Sequence, residues 1–222
     1  SSLIETDNGN ILAGTWGKGL WSYDGSEWTK QNTSNRGSIV SKMYQTKTGE
    51  IWVHYREGVT SDGRPTITDS LGIDRFDGKT WHQIFYFSFL SAFLESSNGD
   101  IWVGMSEWVN WTSEWGLWKY DGIKWEMEEK LKGSRIVSLL ESNDGSLWAG
   151  TEQNGLWKYN GENWYSFTKL DGLPSERISV LHQDQDGSLW VGTGDGIVRY
   201  RFNNSPPTIK IQTVDGKETE WL

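Results

Sequence analysis

Residues 142–164 read SNDGSLWAGTEQNGLWKYNGENW, which is one copy of a pattern that the chain repeats five times. Each copy begins with a polar turn that ends in Gly, and a short apolar segment follows, with Trp in the second to fifth copies. The turn glycines are 40, 50, 46 and 42 residues apart, and they are Gly9, Gly49, Gly99, Gly145 and Gly187. A repeat of this length is typical of one propeller blade.

The second half of each copy contains another turn, and a further tryptophan follows it. The segments are GLWSYDG at 19–25, GIDRFDG at 72–78, GLWKYDG at 116–122 and GLWKYNG at 155–161. Three residues after the last Gly of each segment come Trp28, Trp81, Trp125 and Trp164, respectively. The fifth copy, GIVRYR at 196–201, lacks both the Asp-Gly turn and the following Trp.

Each copy divides into four short strands separated by Gly, Asn and Asp, which favours an antiparallel meander. Such a sheet has two faces to bury, and packing against like sheets in a ring covers both. We therefore predict an all-β fold, a β-propeller of five four-stranded antiparallel blades, or alternatively a fragment of a larger propeller. Residues 1–204 are expected to form the propeller. Residues 205–222 form a tail that either supplies the outer strand of blade five or begins a separate module.

The charge, hydropathy and composition of the chain argue against nucleic-acid binding, membrane insertion and cysteine chemistry. The formal net charge of −9 disfavours nucleic acid and anionic membrane surfaces, which both attract basic patches. No apolar run approaches the length of a membrane span, so this segment is not expected to insert into a bilayer. The chain has no Cys, which excludes disulfides, thiolate metal ligands and Cys nucleophiles.

The tryptophans divide into two groups by their place in the repeat. One group follows the turn at a fixed distance and is predicted to pack between blades as a structural anchor: Trp52, Trp102, Trp148 and Trp190. The tryptophans that follow the second turn are expected to be structural as well. The other group falls in the loops between the second and third strands of a copy: Trp16, Trp108, Trp111 and Trp115.

Two of these strand two–three loops are enlarged, at residues 56–71 and 106–115, whereas three or four residues suffice in the last two copies. Insertions in repeat proteins tend to collect on the binding face. Trp rings can cover the apolar face of a sugar, while interleaved polar side chains bind its hydroxyls. We therefore expect a saccharide or other small polar ligand to bind here, through the loop tryptophans together with Arg64, Glu107, Asn110 and Glu114. Packing within the loops is the alternative, and such loops would equally suit a peptide or protein.

Catalysis finds little support in the sequence. The three histidines are scattered, with no metal-binding spacing, and no phosphate loop or dinucleotide motif is present. We expect no enzyme activity, no catalytic residue, no metal site and no cofactor. Acidic pairs for glycoside hydrolysis could still form in space, so a glycan-acting hydrolase or lyase is the less favoured alternative.

Residues 171–200, DGLPSERISVLHQDQDGSLWVGTGDGIVRY, resemble the two-component-regulator propeller repeat. The fourth copy matches well at 143–151 and 155–159, and the other copies match more loosely. This repeat occurs in extracytoplasmic, ligand-binding sensor regions of bacterial hybrid histidine kinases, where the rings usually have more blades. The resemblance implies an extracytoplasmic (periplasmic or secreted) location and a larger sensor-kinase chain as partner. Residues 205–216, SPPTIKIQTVDG, resemble the start of the immunoglobulin-like module that commonly follows such propellers.

The sequence thus predicts a non-catalytic ligand-binding sensor propeller. A freestanding lectin-like five-bladed propeller is the alternative, favoured by the count of five copies and by the Trp-rich loops.

Overall fold

A computed structural model describes residues 2–33, 39–56, 72–85, 90–105, 115–201, 209–212 and 218–221, and the chain divides into two compact units at residues 1–89 and 90–222. The first unit contains two four-stranded sheets. Blade 1 consists of β1 (Ser2–Glu5), β2 (Ile11–Gly14), β3 (Leu20–Tyr23) and β4 (Trp28–Lys30). Blade 2 consists of β5 (Ile39–Gln45), β6 (Ile51–Arg56), β7 (Gly72–Phe76) and β8 (Trp81–Phe85).

The second unit contains three further sheets of the same kind and a short hairpin. Blade 3 consists of β9 (Leu90–Glu95), β10 (Ile101–Met105), β11 (Leu117–Tyr120) and β12 (Trp125–Met127). Blade 4 consists of β13 (Ile136–Glu141), β14 (Leu147–Thr151), β15 (Leu156–Tyr159) and β16 (Trp164–Phe167). Blade 5 consists of β17 (Ile178–Gln183), β18 (Leu189–Thr193) and β19 (Gly196–Tyr200), and the hairpin pairs β20 (Ile209–Gln212) with β21 (Glu218–Trp221). Short 3-10 helices lie at Glu129–Leu131 and Lys169–Asp171.

Every blade is an antiparallel meander in which each strand pairs with the next one in sequence. The predicted all-β propeller fold with one sheet per repeat is confirmed, and four of the sheets have the predicted four strands. Blade 5 has three strands in the described residues, as the missing Asp-Gly turn of the fifth copy indicates. The β20 strand lies beside β19, but its ladder hydrogen bonds are made with β21. Whether residues 205–222 complete blade 5 or begin a separate module therefore stays a prediction. The described residues include no helix that is long and apolar enough to cross a membrane.

The turn residues explain why the strands end where they do. Gly145 adopts a φ of 79°, which favours glycine, and its N–H donates to the Ser142 carbonyl over 2.8 Å. In the second turn of blade 1, Asp24 Oδ1 accepts from the backbone N–H groups of Ser26 and Glu27, at 2.8 and 2.9 Å. These bonds, led by the one from Glu27, lower the pKa of the Asp24 carboxyl to about 2. The Asp-Gly signature in the sequence is therefore a turn closed by its own carboxylate.

Neighbouring blades within each unit pack face to face through a glycine that makes room for a branched side chain. A Cβ atom placed on Gly150 would lie 2.5 Å from Ile178 Cγ2, which belongs to the next blade. Gly104 stands in the same relation to Ile136, at 2.6 Å from its Cβ atom. Glycine is required at Gly104 and Gly150 because the adjacent blade fills the space that a side chain would occupy.

The anchor tryptophans differ in burial. The side chains of Trp52, Trp102 and Trp148 are buried, whereas that of Trp190 is half-buried. In the set after the second turn, Trp28 is 51% exposed, and its ring lies 5.1 Å from that of Tyr23. Trp28 is therefore a surface side chain in the structure.

Candidate functional site

The strand two–three loops, where the sequence predicts ligand binding, are described in part. Trp16 lies in the first of these loops and is 60% exposed, and Trp115 is half-buried just before β11. The remaining predicted site residues lie outside the described residues: Arg64, Glu107, Trp108, Asn110, Trp111 and Glu114. The structure therefore does not test whether the predicted residues come together.

The loop that carries Trp16 is held by hydrogen bonds at its base. Thr15 Oγ1 donates to the Gly19 carbonyl over 2.7 Å and accepts from the Lys18 N–H over 3.1 Å. The Trp21 indole Nε1 donates to the Lys18 carbonyl over 3.3 Å. Because these bonds fix the backbone on both sides of Trp16, its exposed ring is presented on a defined loop.

The fourth repeat builds its loop in the same way. Thr151 Oγ1 donates to the Gly155 carbonyl over 2.7 Å, and the Trp157 indole donates to the Asn154 carbonyl over 3.0 Å. The Asn154 amide also donates to Ser134 Oγ over 2.8 Å, which ties the loop to the segment that enters blade 4. The Trp of the Gly-Leu-Trp step thus stabilises the loop that precedes it.

A cluster of charged side chains lies at this end of blades 4 and 5. Arg135 Nη1 lies 2.7 Å from Glu152 Oε2, and Arg177 Nη2 lies 3.9 Å from Glu152 Oε1. The backbone is fixed as well, since the Glu152 N–H donates to the Arg135 carbonyl over 2.9 Å. The three side chains together carry a net charge of +1, because two guanidinium groups surround one carboxylate. The Arg177 side chain is 68% exposed. The exposed guanidinium can bind hydroxyl or carboxylate oxygens of a ligand.

Sequence reasoning did not select this cluster. Arg135 and Arg177 precede the first strands of their repeats at equivalent places, so the periodic pattern does place them at the loop end. Their pairing with Glu152 depends on the packing of consecutive blades, which the pattern of one repeat does not reveal.

A second group of polar side chains lies in the first unit. Tyr55 and Asp74 are fully buried, at 0% exposure, and Thr33 is 6% exposed. Burial raises the pKa of the Tyr55 phenol, the Asp74 carboxylate raises it further, and the Thr33 hydroxyl acts in the opposite direction. Buried carboxylates are costly, so such groups are often retained for a purpose other than stability.

The repeat alignment contains a signal for this group that sequence reasoning missed. Tyr55 stands where the first, fourth and fifth repeats have Thr, and Asp74 stands where the first, third and fourth repeats have the Trp of Gly-Leu-Trp. His54 replaces the packing glycine of the other four repeats, and it is 2% exposed, with Nδ1 in contact with Ser41 Oγ. The second repeat therefore departs from the pattern at three buried positions.

The other two histidines lie at the surface. His82 Nε2 lies 2.7 Å from Asp77 Oδ2 and 3.0 Å from Thr80 Oγ1, and His182 is exposed. Hydrogen bonds from the Thr80 backbone N–H and from His82 hold the pKa of the Asp77 carboxyl well below its usual range. Within the described ranges, no group of three or more His, Asp or Glu side chains is placed to hold a metal ion.

Two clefts lie at the opposite end of the blades, beside the polar turns. The cleft between blades 1 and 2 has a volume of about 440 Å³, and the one between blades 3 and 4 has a volume of about 260 Å³. Both are open to solvent and are lined by turn residues and by aromatic rings of the following blade.

Stacked four-stranded meanders of this kind define the chain as a β-propeller protein. Residues 130–153 and 172–195 match the two-component-regulator propeller family. The predicted resemblance is confirmed over these two segments. A comparison with curated protein sequences finds no match.

Several solved structures share the fold. The extracellular domain of BT4673, a hybrid two-component system of B. thetaiotaomicron, is 20% identical with a TM-score of 0.61, over 97% of this chain and 29% of that one. PorZ, a surface component of the type-IX secretion system of Porphyromonas gingivalis, is 17% identical with a TM-score of 0.61, over 97% and 37%. Virginiamycin B lyase of Staphylococcus aureus is 16% identical with a TM-score of 0.59, over 99% and 68%. This chain therefore spans about a third of the length of the first two proteins.

Proposed function

We propose that this chain is the ligand-binding part of an extracytoplasmic sensor, that it acts without catalysis, and that it binds a saccharide at the strand two–three loops. The repeats of the two-component-regulator family and the likeness to an extracellular sensor domain support the sensor role. A larger sensor-kinase chain is the expected partner, as the resemblance to the two-component-regulator repeat implies.

The observation that carries the proposal is the kind of side chain exposed at the loop end. Trp16 exposes 60% of its surface on a hydrogen-bonded loop, and Arg177 exposes 68% of its side chain beside Glu152. Small-ligand sites combine aromatic rings with a few polar or charged groups, and Trp16 and Arg177 supply one group of each kind. Each unit of the chain therefore offers at least one of these groups at its loop end.

A glycan array followed by titration of the best ligand tests the proposal. Trp16→Ala is expected to weaken binding at least tenfold, since loss of a sugar-stacking ring removes most of the apolar contact. Trp28→Ala is the matched control, because it removes a ring of similar exposure at the turn end and should leave affinity unchanged. Equal losses in the two variants, or unchanged affinity in both, would contradict the proposed location.

The same titration separates binding from catalysis. The bound glycan should be recovered intact after prolonged incubation with the protein. Release of a shorter or unsaturated product would instead support a glycan-acting hydrolase or lyase. Binding without any effect on a kinase-linked parent chain would support the freestanding lectin-like alternative.

A further inference from the structure

In blades 3 to 5, a basic side chain covers the strand-two tryptophan. Lys119 Nζ lies 5.4 Å from the ring of Trp102, and Lys158 Nζ lies 5.1 Å from that of Trp148. In blade 5 the guanidinium of Arg199 lies 5.0 Å from the ring of Trp190. Each basic group also pairs with a carboxylate of the adjacent turn, at Asp100, Asp144 and Asp184, respectively. The basic group, the ring and the carboxylate form a repeated stack.

In the second unit, the ring of this stack packs on aromatic side chains of the following blade. The Trp102 ring lies 6.0 Å from that of Tyr159 and 6.3 Å from that of Trp164. The Trp148 ring lies 6.4 Å from that of Tyr200, and its Nε1 donates to Ser142 Oγ over 3.0 Å. The repeated stack therefore has an aromatic wall on one side and a hydrogen-bond acceptor in the turn.

Blade 1 keeps the surroundings of this stack but has neither of its central side chains. Leu12 stands in place of the tryptophan, and Ser22 stands in place of the basic residue. The aromatic wall is present, since the rings of Phe76 and Trp81 lie 5.0 Å apart in the following blade. The turn acceptor is present as well, because Thr6 occupies the place of Ser142.

The cleft between blades 1 and 2 lies where the missing side chains would be. Leu12, Ser22, Phe76 and Trp81 all line it, and its volume of about 440 Å³ exceeds the 260 Å³ of the equivalent cleft that Trp102 and Lys119 line. Two substitutions by shorter side chains therefore account for an open site of small-ligand size.

The charge of the cleft is negative. Its described lining includes the Asp7 carboxylate and no Lys, Arg or His. The Asp7 backbone N–H donates to Gln45 Oε1 over 3.1 Å, which fixes the backbone at this residue. The Asp7 carboxylate oxygen Oδ2 lies near Gly49. Among the described residues, no basic side chain forms an ion pair with Asp7.

We propose that this cleft binds an arylalkylamine, in which a short alkyl chain joins a planar aromatic ring to a cationic nitrogen. The ring takes the place of the missing indole, against Phe76 and Trp81, and a ring N–H donates to Thr6 Oγ1. The cationic nitrogen takes the place of the missing basic group and pairs with Asp7. This site lies at the turn end and is independent of the saccharide site proposed at the loop end.

Tryptamine is the probe, because it combines an indole with a primary ammonium group. We expect it to bind the wild-type protein with a dissociation constant of roughly millimolar order, as is usual for a ligand of this size. Leu12→Trp fills the cleft with the side chain that the other four repeats carry, leaves the net charge unchanged and should weaken binding at least tenfold. Leu3→Trp is the matched control, since it adds the same ring at a site that is 68% exposed outside the cleft.

A second pair of measurements tests the charge independently of any effect of Leu12→Trp on folding. Asp7→Asn should weaken tryptamine binding about tenfold but should leave the binding of neutral 3-methylindole unchanged. Indole-3-propionate, which has the same ring and a negative charge, should bind wild-type protein at least tenfold more weakly than tryptamine. The proposal is overturned if tryptamine does not bind, if Leu12→Trp and Leu3→Trp bind it equally, or if Asp7→Asn has no effect.

Discussion

Replacing Trp148 by Ala should be among the most destabilising single changes in the described part of the chain. Its side chain is 2% exposed and packs between blades 4 and 5, with contacts to Phe167 and Tyr200. Truncation of a buried Trp to Ala costs about 3–5 kcal/mol, because apolar transfer energy is lost and a cavity remains. The Ser142 hydroxyl also loses the indole N–H that it accepts, at a cost of about 1 kcal/mol. For a chain of this length, the sum corresponds to a loss of roughly 10 °C in Tm.

Urea melts of the wild type, Trp148→Ala and Trp28→Ala measure this difference. Trp28→Ala removes the same side chain from a site that is 51% exposed, so it should cost no more than about 1 kcal/mol. Trp148→Phe keeps part of the packing volume and should fall between the two. Equal losses of unfolding free energy for Trp148→Ala and Trp28→Ala would refute the assignment of Trp148 to the core between blades 4 and 5.

Two further predictions concern packing and pH. Gly150→Ala should destabilise the protein by about 1–3 kcal/mol, because its Cβ would meet Ile178 Cγ2. The same change should cost less when it is made in the Ile178→Ala variant, and a double-mutant cycle in urea measures this coupling. Asp24 has a folded-state pKa lowered to about 2, so its contribution to stability is present above the unfolded value near 4 and is lost as the pH falls through about 2. Asp24→Asn should remove this contribution to the pH dependence, and urea melts at pH 6 and pH 2 measure it. Equal changes in unfolding free energy between the two pH values for wild type and variant would contradict the lowered pKa of Asp24.

The periodic part of the sequence predicts most of the fold. Glycines at the first turn and Asp-Gly at the second mark the strand ends, since both turn types need those residues for their backbone geometry. The tryptophan after the first turn of copies two to five predicts a core position, and Trp52, Trp102 and Trp148 are buried, whereas Trp190 is half-buried. The packing glycine at Gly150 is visible only once Ile178 is known to face it, because that contact joins two repeats.

The candidate sites depend on the places where repeats differ, and these were harder to interpret from sequence. Leu12 and Ser22 look like ordinary variation in blade 1, yet together they open the cleft beside Asp7. The pairing of Arg135 and Arg177 with Glu152 joins side chains from two repeats, so no single motif contains it. The structural effect of a difference between repeats can be inferred only when the side chains that face it on the neighbouring blade are known.

Hydrogen–deuterium exchange with and without a screened saccharide tests the central claim most directly. The account predicts slower exchange of backbone amides at the loop end of at least one unit, at 15–19 in the first or at 152–155 and 175–177 in the second, and no change at the turns at 6–10 and 142–146. Mass spectrometry of the same sample should show the saccharide unchanged. Protection confined to the turns, or conversion of the saccharide to product, would contradict a non-catalytic binding site at the strand two–three loops.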